Sequence, residues 1–412
     1  MKKFYFLILI LFFCAFTEEG VKPDVPEIAQ WRGEFRDGKY NETGLLKSWP
    51  LNGPKLLWFN DSIGNGYGSP LITSDAVYVQ GEIDSSGYLF AFDLKGKLRW
   101  KSFYGKEWME NFTGSRSTPT VTGDLIYVCS GLGEISCFEK VKGRKIWSKN
   151  MISDFNGKNI RFGFSESLLI DENMLYATPG GNDTNVIALN RMNGDLKWIG
   201  KGKNQYSAYC SPLLISLPTR KVIVSFSLSE LIGIDAKDGS LLWSQSQDTI
   251  CDIHGNTAVY ENGSIYYAAG CGNGMVKLNL SEDGSKINEV WRSKDLINYF
   301  SGFVKVNDNI FAASEKKNKW VSVDANSGKL MDSLDFKKGV SIYADSMLYC
   351  YNDKGQLGLV NPFANKMKLI SSFKITKGTK EHFSHPAIKS GLLYIRHGQS
   401  LMVYDIRKAK KT

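Results

Sequence analysis

Histidine is scarce in this chain, with four residues among 412. Three of them, His254, His382 and His385, fall in one kind of place: the few residues that lead into a short apolar strand. CDIHGNTAVY (251–260) is one such stretch and HFSHPAIKS (382–390) is another. Equivalent lead-ins carry Arg116, Arg161, Glu166, Tyr206, Tyr209, Asp252, Asn256 and Tyr343. Imidazole, guanidinium, carboxylate and phenol groups, once gathered, can hold a polar ligand or move a proton. The candidate binding set is Arg116, Arg161, Glu166, Tyr209, Asp252, His254, Asn256 and His385. A plainer account stands beside it: the same groups hydrogen-bond inner backbone where strands converge. The spacing assigns no catalytic residue. Cys251 and His254 do not make a zinc motif, because on a strand they point to opposite faces. PGGNDTN (179–185) and GCGNG (270–274) read as turns, since neither joins a strand to a helix or carries a phosphate-binding lysine.

These residues can meet only if the fold brings them together, and the repeats supply the means. VIALNRMNGDLKW (186–198), IGIDAKDGSLLW (232–243) and FAFDLKGKLRW (90–100) share one plan. A strand ends at Asp or Asn, a glycine takes the turn, and the next strand ends in Trp. A two-run hairpin pattern precedes each, as in SPLITSDAVYVQG (69–81). Eight copies are marked by Asp93, Glu139, Asn190, Asp235, Asn279, Asp324, Asn361 and Asp405. A repeat of roughly 45 residues, with apolar residues alternating at period two, predicts four antiparallel strands per copy and a β-propeller. The last copy lacks a Trp strand, whereas PKLLWF (54–59) is a strand without a blade. The fold expected is therefore all-β, an eight-bladed propeller closed by an N-terminal strand joining the C-terminal blade. Radial closure would place all the lead-ins around one central funnel.

The chain begins MKKFYFLILILFFCAF, two lysines before an apolar run too short for a comfortable membrane span. The organisation expected is a signal peptide at 1–17, a leader at 18–53 packing on the propeller, the propeller at 54–408 and a basic tail at 409–412. An exported protein follows, periplasmic or extracellular, with lipid anchoring at Cys14 as an open variant. The net charge of +9 is scattered, which predicts no nucleic-acid partner. No transmembrane span is expected in the mature chain. A closed ring with few free strand edges favours a monomer. The remaining cysteines read as small buried hydrophobes rather than a disulfide framework, although Cys129 and Cys137 bracket a reversal that could set them face to face.

The Trp-ending repeats resemble the tryptophan-docking repeats of quinoprotein alcohol dehydrogenases. They are equally similar to the propeller lipoprotein of bacterial outer-membrane assembly, which carries no quinone. The opening WRGEFRDGKYNETGLLKSWPLNGPKLLW resembles exported pyrroloquinoline-quinone-like repeat proteins. The first resemblance implies a quinone (PQQ) with calcium, for which Glu166, Asn256 or Asp252 would be ligands, and alcohol or sugar oxidation. The second implies a binding or scaffolding protein with an envelope partner. A non-catalytic small-molecule or glycan binder using the funnel is a third reading. The sequence lacks the adjacent Cys-Cys pair of the dehydrogenases and has no CxxCH for haem, so no cofactor is firmly expected.

Overall fold

A computed structural model describes residues 27–247, 253–363 and 366–409. The expected signal peptide, Cys14, Cys251 and Asp252 lie outside the described residues. Eight sheets follow one another along the chain, antiparallel except where a short leader strand joins one of them. Blade 4 is typical: Leu213–Ser216 innermost, then Lys221–Ser227, Glu230–Asp235 and Leu241–Ser246. Middle strands are buried on both faces and outer strands alternate, so each blade is apolar where it meets its neighbours. The core is accordingly a series of clusters between adjacent blades. One, for instance, packs Ile215, Val224 and Trp243 of blade 4 against Ile265, Tyr267 and Leu278 of blade 5. The described residues contain no helix long and apolar enough to cross a membrane.

The tryptophans explain the repeat. The indole N–H groups of Trp58, Trp100, Trp147, Trp198, Trp243 and Trp291 each donate to a carbonyl in the turn of the following blade, at 3.0–3.2 Å. Six blades thus place an outer Trp on the glycine turn of the next blade, whereas the outer strands of blades 6 and 7 carry none. The glycine is needed there: a Cβ on Gly96 would lie 2.6 Å from the Trp58 ring, and one on Gly143 would lie 2.4 Å from Trp100. The ring closes as expected. Lys55–Asn60 pairs antiparallel with Ser400–Asp405, and Trp58 stands opposite Val403.

The leader crosses one end of the channel. Ile28–Ala29 adds to the inner strand of blade 2, and Lys39–Tyr40 adds in parallel to that of blade 7. Between them the Arg36 guanidinium donates to the carbonyls of Ser167 (2.8 Å), Leu168 (2.6 Å) and Pro212 (3.2 Å), on blades 3 and 4. Arg32 donates to Phe303 on blade 6 at 2.6 Å. Both arginines take left-handed backbone, φ 60° and 57°, a conformation costing on the order of 1 kcal/mol that these buried bonds offset. The cysteine expectation is corrected in part: Cys271 is disulfide-bonded. Cys129, Cys137, Cys210 and Cys350 are buried free thiols, and Cys129 faces Ile135 rather than Cys137.

Candidate functional site

The lead-ins to the inner strands of blades 1 to 5 are joined by a chain of hydrogen bonds. Ser69 N–H donates to Thr118 Oγ1 (2.9 Å), Thr118 N–H to Ser167 Oγ (3.0 Å), and Ser167 N–H to Ser211 Oγ (2.8 Å). Thr257 Oγ1 continues the chain by donating to the Ser211 carbonyl at 2.7 Å. The hydroxyl that recurs at this slot therefore joins blade to blade. It satisfies backbone that would otherwise be buried unpaired.

This slot also fixes which side chains reach the channel. A cup of about 420 Å³ lies on the axis, with Trp31 of the leader at its base. Tyr67, Arg116, Ser165, Tyr209 and Gly255 line it, each two residues before the hydroxyl of its blade. Phe300 and Phe383 line it two residues before Gly302 and His385, which take that place on blades 6 and 8. Extended backbone alternates faces, so side chains one or three before the slot mostly turn into the blades, with Tyr299 on blade 6 as an exception that lines the cup. Glu166 and Asn256, one before, and His254, three before, are buried behind the wall. His254 stacks on Phe226 at 5.0 Å, while its neighbours Ile253 and Gly255 face the cup. Asn256 Nδ2 donates to the carbonyls of Ala268 and Asn298, and its Oδ1 accepts from Gly302 N–H. These bonds tie blade 5 to blade 6.

The other candidates divide similarly. Arg116 faces the cup but donates to the carbonyls of Gly114, Asn111 and Phe112 at 2.5–2.7 Å, fixing its own loop. Burial lowers its pKa. Arg161 is exposed, its guanidinium 5.0 Å over the Phe162 ring. His385 lines the cup, edge-on to Trp31 at 5.3 Å, and donates from Nε2 to the Ser301 carbonyl at 3.0 Å. Burial and the nearby Arg32 charge hold it neutral, far below the ordinary histidine pKa. Glu166 and Glu107 are pushed up to about 7 by burial. Such values can mark catalytic acids, but neither side chain lines the cup. Glu166 accepts from Thr178 N–H at 2.9 Å, and Glu107 accepts from Gly131 N–H at 2.8 Å.

Of the feature that dominates the wall, sequence reasoning found one member, Tyr209. Phe300, Phe383, Tyr67, Phe112, Phe162 and Tyr209 form a continuous aromatic belt, with successive ring centroids 5.0–6.4 Å apart. Phe112 remains 45% exposed and Phe300 38%, at the open mouth. The signal was present as an aromatic two residues before the slot in GYGSP, YCSP, YFSG and HFSHP.

A second chamber of about 320 Å³ opens beside the cup, sharing Phe300, Phe383, Glu315 and Lys338 with it. Its walls carry charges of both signs. Lys338 pairs with Glu315, and Glu381 accepts from the Tyr67 hydroxyl at 2.7 Å. His382 bonds the Tyr351 hydroxyl and stacks on His397 at 3.8 Å. Burial, with His397 and Lys374 nearby, lowers its pKa to about 4. Both His397 ring nitrogens face carbonyls, of Lys377 and Lys380, which pins the loop leading to Glu381. No group of three or more His, Cys, Asp or Glu side chains is placed to hold a metal among the described residues.

The family model described as outer membrane protein assembly factor BamB matches residues 85–331. No curated protein matches the chain. Among solved structures, BamB from Moraxella catarrhalis is 11% identical, with a TM-score of 0.60 over 86% of this chain and 100% of that one. A europium-containing methanol dehydrogenase is 9% identical, with a TM-score of 0.67 over 90% of each chain. The computationally designed protein Ika8 is 10% identical, with a TM-score of 0.58 over 86% of this chain and 100% of its own. At such identities these likenesses establish the fold alone. That a designed protein shares it underlines that the fold does not carry a function.

Proposed function

The chain belongs to the family of outer membrane protein assembly factor BamB, and from that premise we propose that it is an exported binding and scaffolding propeller of the cell envelope. The observation that carries this reading is the cup: a channel closed by the leader at one end and ringed at the other by partly exposed aromatic side chains. Exposed aromatics around a concave surface are what a recognition site needs, because their burial on binding supplies most of its energy. In this reading residues 1–17 are a signal peptide, 18–53 a leader, 54–408 the propeller and 409–412 a basic tail. In the same reading the ring is of the quinoprotein alcohol dehydrogenase type, which its Trp docking supports without deciding, and the protein works as a monomer in the periplasm or outside the cell.

A quinone-dependent dehydrogenase is not supported by the residues present. Calcium asks for several oxygen ligands together, and a carboxylate-rich quinone asks for cations with free donors. The acid lining the cup, Glu315, is paired with Lys338, and Arg116 is bonded to three carbonyls of its own loop. Glu166 and Asn256 are committed behind the wall.

A photo-crosslinking amino acid placed at position 112, at the mouth, tests the reading against one at position 146, exposed on the outer strand of blade 2. Irradiated cells should give a discrete envelope adduct from position 112 only. Identical adducts from both positions, or recovery of the protein in the cytoplasm, would remove it.

A further inference from the structure

From the two adjoining chambers we infer that the site binds a neutral oligosaccharide, one sugar ring stacked in the aromatic cup and the next seated in the mixed-charge side chamber. The inference rests on the cup being a recognition site and names its ligand class. The cup and the side chamber, about 420 and 320 Å³, both fall in the range of small-molecule sites. Their shared wall, Phe300 and Phe383, puts an aromatic face where one chamber passes into the other. The C–H face of a sugar ring is weakly positive and apolar, and it lies against the negative face of an aromatic ring. The rim hydroxyls of the same sugar both donate and accept, so they need polar partners of both kinds at its edge.

The side chamber supplies that mixture. Lys354 can donate and Asp353 can accept. Lys338 and Glu315 are paired with each other, and Glu381 is bonded to Tyr67, so they keep further donor and acceptor positions for hydroxyls, though not for a cation or carboxylate that needs them whole. The Asp353 side chain is a quarter exposed, with Oδ2 3.9 Å from Lys354 Nζ, so its accessible edge can accept from a ligand hydroxyl in the chamber. His382 is uncharged near neutral pH, for the reasons given above. Ligands with a net charge meet opposition from either sign. An anion faces Asp353 and Glu381 beside Lys338 and Lys354, and a cation faces Arg116 and Lys338 beside Glu315, so each sign meets repulsion together with attraction. A neutral polyhydroxylated molecule meets neither penalty.

The test is saturation-transfer NMR on the whole mature protein with cellobiose, maltose and chitobiose, beside glucuronate and glucosamine as charged controls. At least one neutral disaccharide should receive saturation from aromatic protons, and the charged monosaccharides should receive little. Phe300→Ala and Asp353→Asn should each weaken that binding at least tenfold, while Phe103→Ala, on an outer strand, should not. Matching thermal melts establish that the variants are folded, and the comparison among sugars needs no variant. Absence of transfer to all three disaccharides, equal transfer to the charged sugars, or binding indifferent to both Phe300→Ala and Asp353→Asn overturns the inference. If the disaccharides fail while position 112 still crosslinks to an envelope protein, the carbohydrate assignment falls and the recognition cup stands. If both fail, the cup itself is misassigned.

Discussion

At the scale of single residues, the lesson is that a polar side chain near a channel is not thereby in it. The alternation of extended backbone sends Tyr67, Tyr209, Phe300 and Phe383 inward and sends Glu166, Asn256 and His254 into the blades. Buried charge then becomes a stability term. Glu166 keeps its proton in the folded state up to about pH 7, whereas an unfolded carboxyl releases it near its usual value of about 4.5. Between those values the folded state holds more protons, so this group makes stability fall as pH rises. His382 and His385 act in the opposite sense: the unfolded chain takes up their protons below about pH 6.5, and stability falls as pH drops. Glu166→Gln keeps an acceptor for Thr178 N–H without an ionisable group. The melting temperature of this variant should gain on the wild type by several degrees between pH 5 and pH 8, with little difference at pH 5. Parallel pH profiles for the two proteins would show that Glu166 is not held protonated.

At the scale of elements, strands were legible and approaches were not. Asp–Gly turns, Trp strand ends and period-two alternation located the blades, because each reports a local requirement of turn or pleat. The lead-ins have no ladder and no period, so their side-chain directions follow only from the hydroxyl slot, whose role appears once neighbouring blades are in place. The leader was least legible of all. Its function lies in two arginines reaching carbonyls more than a hundred residues away, a pairing that leaves no local trace. Arg36→Met leaves the Ser167, Leu168 and Pro212 carbonyls without their buried donor. It should lower the unfolding free energy by about 3 kcal/mol, and Arg36→Lys should recover only part of that, since one ammonium cannot copy the planar fork. Urea midpoints measure both. Equal values for Met and wild type would reduce the leader to a loose cover.

At the scale of the molecule, the ring is as strong as its weakest junction, and one of its eight is made by chain ends. Seven blades draw their strands from one continuous stretch, apart from the short leader additions to blades 2 and 7. The eighth combines Lys55–Asn60 with strands ending at Asp405. Its Trp58 docks on blade 1 through Leu94 O and the face of Gly96, as Trp198 docks on blade 4 through Ala236 O and Gly239. If closure is mechanically continuous, the two junctions are equivalent, although one is held by residues more than 340 positions apart. Trp58→Ala and Trp198→Ala should then cost similar amounts, about 3 kcal/mol each for large, partly buried side chains. Both should preserve a single unfolding transition, because neighbouring blades share their cores. Chemical denaturation of the two variants decides it. A negligible loss at Trp58, or a separate early transition confined to blade 8, would mean that the seam opens independently and that the cup's Phe383 wall is only as fixed as that seam.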